Sequence, residues 1–139
     1  MTFFQAINIC FAKYTVYNGR AKRTEYWYWR LFELTLALIS FRLDKIFFEN
    51  REIGSFSLFI FFFTLLPGIC VSIRRLHDVD KDGWWLLIPF LGIFFFFFTK
   101  VTNMSIILTN IAMILSTVSF LILLFWFISP GTKGKNRFG

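Results

Sequence analysis

The chain has 139 residues, 57% of them hydrophobic and 22 of them phenylalanine, far above the share found in soluble domains. The apolar residues come in long blocks instead of recurring at core spacing, which excludes an ordinary water-soluble globule and implies one membrane domain over 1–139. The formal charge of +7 sits in segments flanking those blocks, a topology signal that argues against a nucleic-acid partner.

At the amino end, Phe4, Ile7, Phe11 and Tyr14 recur at spacings of three and four, the stripe of an amphipathic helix lying in the headgroup plane. Gln5 and Asn8 interrupt the apolar run and no small-residue cleavage site follows, so a signal peptide is not expected. Four spans are expected next, at about 26–43, 55–73, 84–99 and 104–128, with cytoplasmic segments 1–25, 74–83 and 129–139. Thr24 is the expected cap of the first span and Glu25 favours its dipole. Tyr26, Trp27, Tyr28 and Trp29 read as an interfacial aromatic belt, as do Trp84 and Trp85. The third span is short and carries Pro89 and Gly92.

The fold expected is therefore an all-α integral membrane protein of about four transmembrane helices, preceded by an interfacial amphipathic helix. Lys13, Arg20, Lys22, Arg23, Arg74, Arg75, Lys81, Lys133, Lys135 and Arg137 fall on one side, against Arg42, Lys45, Arg51 and Lys100 on the other. The positive-inside rule then places both termini in the cytoplasm. This topology also brings the amino-terminal basic segment, Arg74 to Asp78 and the carboxy-terminal tail onto one face.

Three motifs resemble those of the domain of unknown function 805 family. They are Gly19-Arg20-Ala21-Lys22-Arg23-Thr24-Glu25-Tyr26-Trp27, then Arg74-Arg75-Leu76-His77-Asp78 with Gly83-Trp84-Trp85, and finally Pro130-Gly131-Thr132-Lys133-Gly134-Lys135-Asn136-Arg137-Phe138-Gly139. They occur in the family's order with its intervening apolar blocks. The resemblance implies a small multi-pass protein of the bacterial cytoplasmic (inner) membrane and carries no established activity. Val79, Asp80 and Asp82 depart from the threonine, glycine and serine usual in the central motif.

Each chemical candidate has a plainer counterpart. Asp78, Asp80, Asp82 and Gly83 spell half of a calcium loop, but its twelfth position is Pro89 where a bidentate glutamate is needed, so no metal is expected. Arg74 is expected to engage Asp78, four residues on along the same helix face. His77, the only histidine, is more readily a structural hydrogen-bonding group than a base, and no nucleophile accompanies it. Cys10 and Cys70 read as small apolar fillers. Arg30 and Glu33 lie three apart inside the first span and are expected to form an intramembrane polar pair, the alternative being a contact to Arg74 or Asp78 within the bundle. Arg20, Arg23, Arg74, Arg75, His77, Asp78 and Arg137 define a face for anionic lipid headgroups or a protein partner, homo-oligomer included. No catalytic residue and no cofactor are expected. The leading function is thus a non-enzymatic membrane protein. Its rivals are a small transporter or channel built around Glu33, Pro67 and Pro89, and a headgroup enzyme using His77 and Asp78.

Overall fold

A computed structural model describes residues 1–48, 54–102 and 105–139; Arg51 and Met104, at the ends of expected segments, lie outside them. The described chain contains five α-helices: α1 (Phe3–Ala12), α2 (Arg23–Phe47), α3 (Ser55–Asp78), α4 (Leu87–Val101), entered through a 3-10 turn at Gly83–Leu86, and α5 (Ile106–Ile128). Three stretches are long and apolar enough to cross a membrane: Ser55–Asp78, Gly83–Val101 and Ile106–Ile128. The 3-10 turn thus lengthens the third expected span. Helix α2 is the longest of all, but Arg30, Glu33 and Arg42 keep it out of that set.

Helices α2 and α3 run antiparallel and are joined at three levels. Glu25 meets Arg74 near one end, Arg30 meets Gly68 and Ser72 further in, and Asp44 meets Phe56 and Ser57 at the other end. The last contact is a cap supplied from another helix. Asp44 Oδ1 and Oδ2 accept from the backbone N–H groups of Phe56 (2.9 Å) and Ser57 (2.8 Å), satisfying donors that a helix start leaves free. Gly54 is the residue that fits, because a Cβ there would collide with the Asp44 carboxylate.

Pro67 lies inside α3 and has no N–H for the carbonyl of Phe63. The Tyr14 hydroxyl takes that carbonyl at 2.8 Å, so the helix break is used as a docking point for the segment after α1. Helix α1 is closed by a Thr2/Gln5 capping box and lies against α2 and α3 through Phe3, Ile7, Cys10 and Phe11. Of the stripe expected to lie in the headgroup plane, Phe4 is 76% exposed while Ile7 is buried against the bundle with Cys10.

Helices α4 and α5 form the second hairpin and approach closely through small residues. Gly92 lies against Ser116, the Ser116 hydroxyl donates to the Pro89 carbonyl at 3.1 Å, and Thr109 bonds Thr99 at 3.1 Å. Small side chains and local hydroxyl bonds are what membrane helices use where lipid gives no hydrophobic drive. Tyr26 stacks on Phe127 at 4.5 Å and links the two hairpins. With Trp29 fully buried as well, two of the four belt aromatics expected at the first span belong to the core. One turn of helix separates the two rings, so they share the inward face while Trp27 stays exposed.

A buried arginine network at one end of the bundle

The amino ends of α2 and α4 and the carboxy ends of α3 and α5 meet at one pole. There the three sequence motifs come together. The second of them is helical, since α3 continues through Asp78 where a loop from residue 74 was expected. Helix α2 starts at Arg23 behind Lys22, without a side-chain cap, so Thr24 is already inside the helix.

Arg74 and Arg75 are both 0% exposed. Arg74 Nη1 donates to Glu25 Oε1 at 2.6 Å, and its own carbonyl receives the Ala21 N–H at 2.9 Å. The expected Arg74–Asp78 pair is replaced by Arg75–Asp78, because Arg74 turns to α2 while Arg75, three residues before Asp78, turns to the tail. Arg75 also donates to the carbonyls of Phe127 (Nε, 3.3 Å) and Ser129, and so caps the last turn of α5. Arg23 Nη1 adds a bond to the Ile128 carbonyl at 3.1 Å.

Asp78 is shared. Arg20 Nε reaches its Oδ1 at 2.9 Å, and Arg20 Nη1 and Nη2 hold the tail carbonyls of Gly134 (2.6 Å) and Thr132 (2.7 Å). The Asp78 carbonyl receives the Thr132 N–H at 2.8 Å. Gly131 touches the same carboxylate so closely that a Cβ there would overlap it. Asp80 and Asp82, the rest of the half calcium loop, face Arg137 at 3.2 and 3.7 Å. Among the described residues no group of three or more histidine, cysteine or carboxylate side chains is placed to hold a metal ion.

His77 is 8% exposed, with Nδ1 3.1 Å from the Gly19 carbonyl and its ring stacked on Phe138 at 3.8 Å. A carbonyl accepts only, so Nδ1 carries the proton. The His77 carbonyl receives the Asn136 side-chain amide at 2.8 Å. Sequence reasoning passed over Thr132, Asn136 and Phe138 as site residues; their place in the closing motif was the available signal.

Below this layer Arg30 pairs with Glu33 as expected and adds bonds to the Gly68 carbonyl (2.7 Å) and Ser72 Oγ (2.6 Å). Trp29 Nε1 donates to Glu33 Oε1 at 2.7 Å. Gly68 permits the approach, since a Cβ would overlap the Glu33 carboxylate. A small cleft near the pole, lined by Trp85, Ile88, Ser119, Ile122, Leu123 and Trp126, is almost wholly apolar and contains neither Glu33 nor Pro67. Cys10 and Cys70 are free and buried, and burial pushes the Cys10 thiol up to about 12 despite the nearby Arg74.

Fold and site together define an all-helical membrane protein closed at one end by an internally paired arginine network. The chain belongs to the family described as Protein of unknown function (DUF805), whose model matches residues 14–139. It is 31% identical over 130 residues to the Inner membrane protein YhaI of Escherichia coli (strain K12), covering 91% of this chain and 85% of that protein. It is likewise 31% identical over 131 residues to the Inner membrane protein YhaH of the same organism, covering 91% and 86%. No solved structure matches the chain.

Proposed function

We propose that this chain is a non-enzymatic protein of the bacterial inner membrane, crossing it with α2 to α5 and keeping both ends in the cytoplasm, and that a basic rim at the networked pole binds anionic lipid headgroups. The relatives' names supply the membrane. The observation that carries the binding role is a division of labour among the cations. Arg74 and Arg75 are enclosed and Arg20 is 21% exposed, all three used internally, whereas Lys22, Lys133 and Lys135 stand exposed at the same pole with no ion-pair partner among the described residues. Each basic residue near an anionic leaflet contributes about 1 kcal/mol of attraction. Arg20, Arg74, Arg75, His77 and Asp78, five of the seven residues first grouped as a binding face, therefore act mainly as the scaffold on which that rim is mounted.

Two rivals lose ground for stated reasons. A headgroup enzyme needs an accessible His77, and here the ring is covered by Phe138 and held to a carbonyl. A transporter needs its helix breaks around a shared path, yet Pro67 serves Tyr14 in one hairpin while Pro89 serves Ser116 in the other.

Native mass spectrometry of detergent-purified protein tests the reading. Wild type is expected to retain anionic phospholipid that Lys22→Ala/Lys133→Ala/Lys135→Ala loses. Equal retention by the triple variant would remove the rim from consideration. Arg74→Ala/Arg75→Ala is unsuitable, because both guanidiniums hold the fold.

A further inference from the structure

The Tyr14 hydroxyl is bound well below the polar end of the bundle. Helix α5 has 23 residues without a charge, about 34 Å of helix against about 30 Å of hydrocarbon, so the slack is only a few ångströms. The Arg75 bond to the Phe127 carbonyl at 3.3 Å fixes the end of α5 at the level of Arg75. The hydrocarbon must therefore begin close to that level.

Phe63 lies twelve residues before Arg75 on α3, about 18 Å deeper at 1.5 Å per residue. It is there that the Tyr14 hydroxyl binds a carbonyl at 2.8 Å and the Phe11 ring lies 5.5 Å from that of Phe63. The chain then climbs back, since the Gly19 carbonyl meets His77 and the Ala21 N–H meets the Arg74 carbonyl. Helix α1 thus slopes inward along α2 and α3, and the non-helical turn from Lys13 begins between the level of Phe63, which the Tyr14 hydroxyl reaches, and the pole, where Gly19 lies.

That turn is exposed at Lys13, Thr15, Tyr17 and Asn18. In hydrocarbon an unsolvated backbone polar group is costly, and so is a lysine. The outer stripe of α1 agrees: Gln5, Asn8 and Ala12 face outward, where the exposed faces of α3, α4 and α5 carry Phe, Leu and Ile. Phe4, near the start of the helix, is the apolar exception.

We infer that the membrane surface dips along α1, so that water and lipid headgroups follow the helix inward toward the level of Phe63 and the hydrocarbon is locally thinned on that side. Helix α1 remains interfacial because the interface follows it. The occupant of this surface is the headgroup layer. The inference rests on the membrane reading given above and does not need the lipid-binding rim.

Accessibility to a charged, membrane-impermeant maleimide in sealed vesicles tests it, in spheroplasts and in inverted vesicles. Thr15→Cys is compared with Lys135→Cys as the aqueous reference and with exposed Leu115→Cys, which lies at a similar depth on α5. The buried native cysteines give the background. Thr15→Cys is expected to label from the same side as Lys135→Cys and within about tenfold of its rate, with Leu115→Cys at background. Because Lys135→Cys reports the side, reversed orientation would not disturb the result. Thr15→Cys as silent as Leu115→Cys, in protein that remains monodisperse and labels fully once denatured, would overturn the inference. So would its oxidation to a disulfide between copies in place of labelling, since a second copy would then cover the turn.

Discussion

Glu25 Oε1 lies 2.6 Å from Arg74 Nη1, and both side chains are closed to solvent, so α2 and α3 are joined by an ion pair that water does not screen. Such a pair is expensive to break from one side. Removing one partner leaves the other charge buried, at about 3 to 5 kcal/mol, whereas replacing both with apolar groups of similar volume is often nearly neutral. Glu25→Leu and Arg74→Met should each cause a large loss of thermal stability in detergent. The double variant Glu25→Leu/Arg74→Met should lose much less than the sum, and an additive double-mutant cycle would contradict a direct coupling.

Gly68 and Glu33 form a second joint. Gly68→Ala places a methyl group on the Glu33 carboxylate and disturbs its pair with Arg30, so a loss of about 1 to 3 kcal/mol is expected from overpacking. Shortening the side chain in Gly68→Ala/Glu33→Ala should relieve the collision but leave Arg30 without its carboxylate. The measurement is the melting temperature of the three proteins. Gly68→Ala that melts like wild type would mean the two helices can separate there at little cost.

The tail is held by Asn136 on the His77 carbonyl and Phe138 on the His77 ring. Aromatic stacking contributes about 0.5 to 1.5 kcal/mol beyond burial, which corresponds to roughly a two- to tenfold increase in tail opening for Phe138→Ala. Limited proteolysis of the segment after Ser129 should accelerate by that factor, and further in Asn136→Ala/Phe138→Ala. Cleavage elsewhere in the chain should not change.

Asp44 gives a pH dependence. Burial raises its pKa, but hydrogen bonds from the Ser57 side chain and from the backbones of Ser57, Phe56 and Gly54 outweigh it and hold the carboxyl below its ordinary 3.8. A depressed folded value means that the stabilisation is complete above the unfolded pKa and is lost as pH falls through the folded one. Melting temperature should therefore be flat from pH 7 to about 5 on this account and fall below about pH 4. Asp44→Asn should melt lower at neutral pH and lose that acid-side slope.

How much of this was readable in the sequence depends on the kind of interaction. The long apolar blocks announced the helices, because lipid selects for uninterrupted hydrophobic length. The Arg30–Glu33 pair was readable too, being three residues apart on one helix. Arg74 and Arg75 show where such reasoning stops. Adjacent on a helix, they point about 100° apart, and only the tertiary arrangement decides which meets Glu25 and which meets the tail. The Asp44 cap on α3 bridges a segment of chain that carries no periodic signal. The cation count foresaw that the three motifs share a pole, whereas their mutual burial followed from backbone carbonyls and glycines that leave no mark in composition.

Arg75 is made long before the groups it serves, since the Phe127 carbonyl lies 52 residues later in the chain. Until α5 and its tail have emerged from the ribosome, this guanidinium and that of Arg20 lack their carbonyl acceptors. A product that stopped before α5 would keep the pairs of Arg20 and Arg75 with Asp78 but would lack the carbonyls that take their remaining N–H groups. The pole is thus completed last, when the end of α5 and the tail reach guanidiniums already in place.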